Sequence, residues 1–409
     1  PDMKFDLNKE FSFSQIGNYL KRKYDSAVKF IKKMDGSSIK NITVKGKVVR
    51  INAIRLSFIA AVLAVLLALF VNIVIVPNTT YRAYSDLEFD TGGQYIQYAF
   101  GKDVLLLNKS GIKDVNNKGG DVWNIKMTLT NPTIDIAGKY ALLADLDGNN
   151  SLNLYDTNGN NIVSYPISTD ILSAKVNKKG FAVAALAEEG YKGTVVVFNK
   201  KADEVFKWNS GEGYITDVDI SKDGKYIAVA QMMSDGDETY SKIRVMNTSN
   251  GQESGTAICE DTLIAKINFD KNSNITAVGQ SKIFGFSKKG NKNFEIDLAG
   301  KSPVKYDVEN GDNLLFLCRD SRGNSVLEIY SISGKYLGSY TSSDEIKNIA
   351  GYNDNIIAAT SRNLICLNYK GKLKKSIEIS HDIMSIGIYG NERNVLVLGG
   401  NKADIVRIK

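Results

Sequence analysis

The chain has 409 residues, with 43% hydrophobic and 24% charged side chains, which excludes a disordered protein and allows one large or two ordinary domains. Its net charge is +7, but residues 1–55 carry 13 Lys/Arg against five Asp/Glu, so residues 56–409 carry a net charge of −1. Because the large C-terminal region is nearly neutral, nucleic acid is not an expected partner. Three cysteines in apolar runs without a CxxC motif predict buried free thiols: Cys259, Cys318 and Cys366.

Residues 1–52 form a basic segment that we predict to be cytoplasmic. Within it, residues 14–34 have apolar side chains at helical spacing and lysines mostly on the other faces. This pattern predicts an amphipathic helix that lies on the anionic inner leaflet or binds a cytoplasmic partner. The alternative is a short helix whose lysines only set the topology. Residues 38–51 alternate around Lys45-Gly46 and predict a small β-hairpin, so this segment is a short α/β one.

Residues 53–77 are predicted to be a single transmembrane anchor helix. The stretch Leu56–Val76 has 21 residues and no charge, and a helix of that length spans roughly 30 Å of hydrocarbon. The basic residues precede it, which places the N-terminus in the cytoplasm and the C-terminal region outside it. The position and length of the stretch, and the lack of an A-x-A site, disfavour a cleavable signal peptide.

Small and polar residues recur every four positions along this stretch. Ala60, Ala64, Ala68 and Asn72 therefore form one stripe on the predicted helix. Such stripes let helices approach closely, and an asparagine can hydrogen-bond across the contact. The hypothesis is association with a partner helix or a second copy; the alternative is that the frequency of alanine in membrane helices explains the stripe.

An octamer repeats through residues 78–409. It consists of a mostly apolar strand followed by Asn, Asp or Ser, two polar residues and a final Gly or its equivalent. An aspartate or asparagine can bond its own backbone in such a turn, and Gly supplies a positive φ. Seven copies and a truncated eighth start at positions 104, 152, 195, 243, 283, 327, 364 and 405. Their spacing, mostly near 40–45 residues, is typical of four-stranded propeller blades.

Other strand patterns complete each repeat. A short, nearly all-apolar run such as YALLAD at 140 or ITAVG at 275 precedes the octamers from the second onward, as expected of strands buried on both faces. We predict an all-β propeller with eight blades; seven is the alternative, because the first repeat is irregular. The last octamer ends the chain, so its fourth strand should come from around Tyr81–Phe89 and close the ring.

The segment Ser221–Ala228, SKDGKYIA, resembles the S-x-D-G-K-Y-[IL]-A element of bacterial WD40-like and quinoprotein-like propellers. Over about 330 residues the chain resembles membrane-anchored bacterial propellers of unassigned function. The resemblance implies the fold and not an activity. The Trp-Asp and Gly-His dipeptides of true WD40 repeats are absent from the sequence.

No catalytic or cofactor motif emerges, and the lone His381 has no companion cluster. One candidate metal site is a loop whose oxygen ligands stand at positions 1, 3, 5 and 9, which resembles the calcium loops of integrin-type propellers: Asp145, Asp147, Asn149 and Asn153. Asn150 replaces the usual glycine and Asn153 the usual aspartate. The alternative is a polar hairpin loop. No other cofactor is expected.

These patterns predict a non-enzymatic scaffold in the cell membrane whose extracytoplasmic propeller binds envelope proteins or cell-wall components. One alternative is an enzyme that acts on a wall or extracellular ligand through channel carboxylates, for which Asp135, Asp219 and Asp307 are the candidates. Another is a sensor that passes ligand state to the cytoplasmic helix.

Overall fold

A computed structural model describes residues 39–44, 47–52, 58, 60–66, 87–88, 95–101, 103–116, 120–146, 151–308, 313–352, 355–389, 394–400 and 402–407. The chain divides into two compact units, residues 1–78 and 79–409. In the first unit, β1 (Ile39–Val44) pairs antiparallel with β2 (Lys47–Asn52), which confirms the predicted hairpin. Residues 60–66 are helical. The predicted amphipathic helix over residues 14–34 lies outside the described residues.

The second unit contains eight four-stranded antiparallel sheets, which confirms the eight-bladed propeller. We call the four strands of a blade first to fourth, from the innermost outwards. Blade 1 contains β4 (Ile96–Phe100), β5 (Asp103–Asn108), β6 (Gly111–Val115) and β7 (Asp121–Lys126). Blade 2 contains β8 (Pro132–Ala137), β9 (Tyr140–Asp145), β10 (Leu152–Asp156) and β11 (Asn161–Tyr165). Blade 3 contains β12 (Asp170–Val176), β13 (Ala182–Ala187), β14 (Thr194–Phe198) and β15 (Glu204–Asn209).

The next three blades follow the same order. Blade 4 contains β16 (Tyr214–Ile220), β17 (Tyr226–Asp235), β18 (Glu238–Asn247) and β19 (Glu253–Cys259). Blade 5 contains β20 (Ile264–Phe269), β21 (Ile275–Gly279), β22 (Lys282–Phe286) and β23 (Lys292–Asp297). Blade 6 contains β24 (Lys305–Asp307), β25 (Asn313–Arg319), β26 (Ser325–Ser331) and β27 (Tyr336–Ser342).

The last blade joins the two ends of the propeller chain. Blade 7 contains β28 (Asn348–Tyr352), β29 (Asn355–Ala359), β30 (Asn363–Asn368) and β31 (Leu373–Glu378). Blade 8 contains β32 (Ser385–Tyr389), β33 (Asn394–Leu398) and β34 (Lys402–Arg407) from the C-terminal end, with β3 (Leu87–Glu88) as its fourth strand. Leu87 pairs with Ala403 and Glu88 with Lys402, so the predicted N-terminal closure of the ring is confirmed.

The core is divided among the blade interfaces. Eight apolar clusters each combine side chains from two neighbouring blades. The closing interface packs Val104 and Leu106 of blade 1 against Leu396, Leu398 and Ile405 of blade 8. The apolar second strands are buried on both faces, as their composition predicts.

The octamers are third strands that run into tight turns, with one exception. In blade 1, the octamer at Val104 forms β5, a second strand, and its turn leads into β6. In the other complete copies a residue with positive φ closes the turn. It is the final octamer residue, including the non-glycine Ala202 at 65°, except in the copy at 243, where it is the following Gly251. Gly290 also packs tightly: a Cβ there would stand 2.2 Å from the carbonyl oxygen of Thr256 in blade 4. The repeated glycine therefore serves both the turn and the contact between blades.

Candidate functional site

The two faces of the propeller carry opposite charge. The hairpins from first to second strand in every blade, and from third to fourth strand in blades 1 to 7, lie on one face, and the remaining connections lie on the other. In the described part of the first set of hairpins, 13 lysines stand against three aspartates, with no arginine or glutamate. We call this the lysine face, and its lysines are Lys139, Lys178, Lys179, Lys200, Lys201, Lys222, Lys225, Lys271, Lys288, Lys289, Lys335, Lys370 and Lys372.

The opposite face carries an excess of acid in the connections that the structure describes. These connections contain six basic and ten acidic residues. The acidic ones are Glu188, Glu189, Glu212, Asp237, Glu260, Asp261, Asp320, Asp344, Glu345 and Asp382. We call this the carboxylate face. The near-neutral net charge of the propeller therefore hides a strong separation of charge between its faces.

The turn chemistry places the lysines at the hairpin tips. In the turn after β14, the side-chain oxygen of Asn199 accepts the backbone N–H groups of Lys201, at 2.8 Å, and Asp203, at 3.1 Å. Asn368 does the same for Lys370 and Lys372. Because the first turn residue satisfies the backbone, the two following side chains are left to point into solvent. Those positions hold Lys200 and Lys201 in the first of these turns, both exposed.

Large exposed apolar side chains lie on the carboxylate face near the starts of the innermost strands of five blades. The first strands begin at this face, and large apolar side chains that are 37–62% exposed lie at or near their starts. We define the apolar rim as Ile96, Leu172, Tyr214, Val304, Tyr306 and Met384. The ring of Tyr214 also lies 4.5 Å from Lys192 Nζ, and its hydroxyl accepts a hydrogen bond from that amine at 2.9 Å. Apolar and aromatic side chains within a charged surround are typical of interaction surfaces.

Deeper in the channel, carboxylates join neighbouring blades. Asp135 of β8 accepts the N–H of Val176 in β12 at 2.8 Å and pairs with Lys175 Nζ at 2.7 Å. Asp219 of β16 accepts the N–H of Phe269 in β20 at 2.6 Å. Each innermost strand leaves an edge of unpaired backbone groups, and these carboxylates satisfy part of that edge from the preceding blade.

The remaining channel carboxylates follow the same rule. Asp307 of β24 accepts the N–H of Gly351 in β28 at 2.8 Å. Asp217 of β16 accepts the N–H of Ile267 at 2.9 Å and the Ser173 hydroxyl at 2.9 Å, and so connects three blades. The three predicted channel candidates are thus engaged in bonds between blades. Sequence reasoning missed Asp217, although its position two residues before Asp219 on a first strand is the available signal.

Asp219 has a perturbed acidity. Burial raises its pKa to about 7, and the nearby Asp135 acts in the same direction. The N–H groups of Phe269 and Ile220 and the charge of Lys175 act in the opposite direction. A carboxyl that titrates near neutrality has the acidity that general acid–base catalysis uses, but structural networks perturb acidity as well.

The calcium candidates are only partly described. Asp145 is fully buried and accepts the N–H groups of Thr130 and Asn131, the latter at 2.7 Å. The Asn153 amide donates to the Ser151 hydroxyl at 2.6 Å. Asp147 and Asn149 lie outside the described residues. Among the residues that are described, no group of three or more His, Cys, Asp or Glu could hold a metal ion. Calcium therefore stays a prediction.

The predicted membrane stripe is also only partly described. Ala60 and Ala64 lie in the helical residues 60–66, whereas Ala68 and Asn72 lie outside the described residues. Among the helical residues that the structure describes, none forms a helix that is long and apolar enough to cross a membrane.

The remaining singled-out residues pack in the interior. Cys259, Cys318 and Cys366 are free and buried, as predicted, and burial raises the thiol pKa of Cys259 to about 12 and of the other two to about 11. Such thiols are unreactive at neutral pH. His381 Nε2 lies 3.4 Å from Asp404 Oδ2, between blades 7 and 8.

Comparison with known proteins supports the fold. The crystal structure of the C-terminal WD40 domain of Sif2 superposes with a TM-score of 0.56 at 11% sequence identity, over 78% of this chain and 98% of that one. Likeness at this identity shows a WD40-like fold alone. No curated protein matches the sequence. The model of a family of unknown function matches residues 76–408, and the chain therefore belongs to the DUF5711 family.

Proposed function

We propose that this protein is a non-enzymatic scaffold, anchored in the cell membrane by residues 56–76, whose extracytoplasmic propeller binds partner proteins of the envelope through the apolar rim. The observation that carries the proposal is the set of large apolar side chains exposed near the starts of the innermost strands on the carboxylate face. Exposed aromatic and methionine side chains supply most of the binding energy in protein interfaces when a partner covers them. The surrounding carboxylates suit a partner with basic residues.

The channel chemistry supports binding over catalysis. Each channel carboxylate accepts a hydrogen bond from a backbone N–H of the next blade, and therefore stabilises the contact between blades; these carboxylates are Asp135, Asp217, Asp219 and Asp307. The alternative function is an enzyme that acts on an extracellular or wall ligand. The observation that favours it is the Asp219 pKa of about 7. Substitution of Asp219 by Asn would abolish turnover of such an enzyme and would leave a scaffold's binding intact.

A photocrosslinker at the apolar rim should capture the partner. We expect a photoreactive residue at position 384 to crosslink in intact membranes, because Met384 is 62% exposed. The matched control is position 373 on the outer strand of blade 7, where Leu373 is 54% exposed. The double substitution Tyr214→Ala with Ile96→Ala should lower capture at 384 by roughly tenfold or more, since each lost anchor costs about 1–2 kcal/mol. Equal capture at 373, or no loss in the double variant, would contradict the assignment of the rim.

The anchor and its orientation can be tested by cysteine labelling. Because the native thiols are buried, an introduced surface cysteine is the reactive one. We expect a membrane-impermeant maleimide to label Asp237→Cys, on the exposed carboxylate face, in intact cells and to label Lys33→Cys only after lysis. The protein should also stay in the membrane pellet at alkaline pH. Release from that pellet would contradict the anchor, and labelling of Lys33→Cys in intact cells would reverse the topology.

A further inference from the structure

The charge of the lysine face is accessible. All of its lysines except Lys288 are exposed. Within the described part of the chain, Lys178, Lys200 and Lys289 make no salt bridge, and Lys225 pairs with Asp223 only at 3.9 Å. All three acids accept hydrogen bonds within their own turns: Asp203 from the Asn199 amide, Asp270 from the Asn274 amide, and Asp223 from the Ser221 hydroxyl. Within the described hairpins, the positive charge of this face is therefore offset only in part by acidic residues.

The distribution of these lysines fits a broad anionic surface. They stand on hairpins of blades 2 to 7, so the positive charge extends around most of the ring rather than along one groove. None of the described residues in these hairpins is an arginine, and the aromatic ones, Phe181 and Tyr369, are not exposed. Nucleic-acid surfaces use arginine and stacking aromatic residues. Many mobile ammonium groups without apolar wedges instead suit electrostatic adsorption on headgroups.

The chain enters the propeller through β3, from the side of the lysine face. β3 runs antiparallel to β34, whose N-terminal end starts at the carboxylate face. The N-terminal end of β3 therefore points towards the lysine face. In the sequence, residues 77–86 are all that separate Leu56–Val76 from β3, and ten residues reach at most about 35 Å.

We propose that the lysine face lies on the anionic lipid headgroups of the bilayer that anchors the chain. The proposal rests on the membrane anchor of the proposed function. Its consequence is orientation: the apolar rim is turned away from the bilayer and presented to partners. The contact depends on salt, because exposed charges are screened within about 3 Å in 1 M salt.

Fluorescence quenching in vesicles tests this orientation. The full chain is reconstituted with a fluorophore on Lys289→Cys or, as the opposite-face probe, on Asp237→Cys, and the quencher is a nitroxide on a lipid headgroup. We expect the label at 289 to be quenched in vesicles that contain phosphatidylglycerol, and the quenching to disappear in phosphatidylcholine vesicles and in about 1 M salt. The label at 237 should not respond to lipid charge.

Charge reversal supplies the matched variants. Lys178→Glu, Lys200→Glu and Lys201→Glu together should lower the lipid-dependent quenching at 289 by about an order of magnitude. The same number of reversals on the carboxylate face, Lys109→Glu, Lys347→Glu and Arg362→Glu, should leave it unchanged. Equal effects of the two sets would overturn the proposal. Quenching at 237 would also overturn it. So would a chain that binds soluble polyphosphate through the lysine face but shows no dependence of the quenching at 289 on lipid charge.

Failure of the anchor is read separately in the same preparation. Flotation of the chain with phosphatidylcholine vesicles in about 1 M salt reports only the apolar stretch, because the Debye length is then about 3 Å. A chain that floats but shows no charge-dependent quenching retains the anchor and lacks the face contact. A chain that binds only anionic vesicles at low salt has the face contact and lacks the anchor.

Discussion

Asp217→Ala should lower the free energy of unfolding by about 3 kcal/mol, because it removes a buried acceptor shared by three blades. The Asp217 residue is only 4% exposed. It accepts the Ser173 hydroxyl of blade 3 and the Ile267 N–H of blade 5, and Lys266 Nζ lies 3.6 Å away. After the substitution, the Ile267 N–H would remain buried without this acceptor, which costs more than the bond itself contributed.

Urea unfolding followed by tryptophan fluorescence measures this effect. Asp237→Ala is the matched control, since Asp237 is an exposed carboxylate at a hairpin tip of the same blade. Asp217→Asn keeps an acceptor for the N–H and should cost less than alanine. If Asp217→Ala has the same free energy of unfolding as the control but abolishes partner capture or turnover, the carboxylate is needed for function and does not stabilise the propeller.

Much of the fold follows from local patterns. The octamer predicts third strands because each copy contains the residues that form its own turn. These are an Asn, Asp or Ser that hydrogen-bonds to the backbone and a residue that adopts positive φ. Closure by β3 follows from counting: a C-terminal blade that ends at its third strand needs one more. The first octamer shows the limit of this reasoning. Second and third strands are both buried and both end in tight turns, so VLLLNKSG alone does not distinguish β5 from a third strand.

The site was less accessible from the sequence. The N–H that Asp219 binds lies 50 residues further along the chain, on the next blade, so no local pattern shows that this carboxylate is already engaged. The separation of charge was also hidden, because the propeller sums to nearly zero. A signal existed in N-K-K at 177 and 199 and S-K-K at 287, where lysines follow the turn-forming residue. Assigning these turns to one face of the ring reveals the pattern.

Asp114→Asn should stabilise the protein at pH 8 and change its stability little at pH 4. Asp114 is 1% exposed, and neither carboxylate oxygen has a hydrogen bond of regular geometry among the described residues, since the Trp123 indole N–H donates to the Thr157 carbonyl. Burial raises its pKa to about 7, and the nearby Asp103 adds to this; the N–H groups of Val115 and Trp123 lower the pKa only in part. In the unfolded chain an aspartate titrates near pH 3.9.

The sign of the effect follows from proton binding. Between about pH 4 and pH 7 the folded protein holds a proton on Asp114 that the unfolded chain has released, so stability falls as the pH rises through this window and is lowest above it. A shift of about 3 units corresponds to roughly 4 kcal/mol at most. Asparagine is neutral in both states, so the variant should lack this loss of stability. Its free energy of unfolding should exceed that of the wild type by about 2–4 kcal/mol at pH 8.

Thermal or urea unfolding at pH 4, 6 and 8 measures the difference, with the exposed Asp237→Asn as control. A constant difference between Asp114→Asn and the wild type across this range would mean that Asp114 ionises normally in the folded protein.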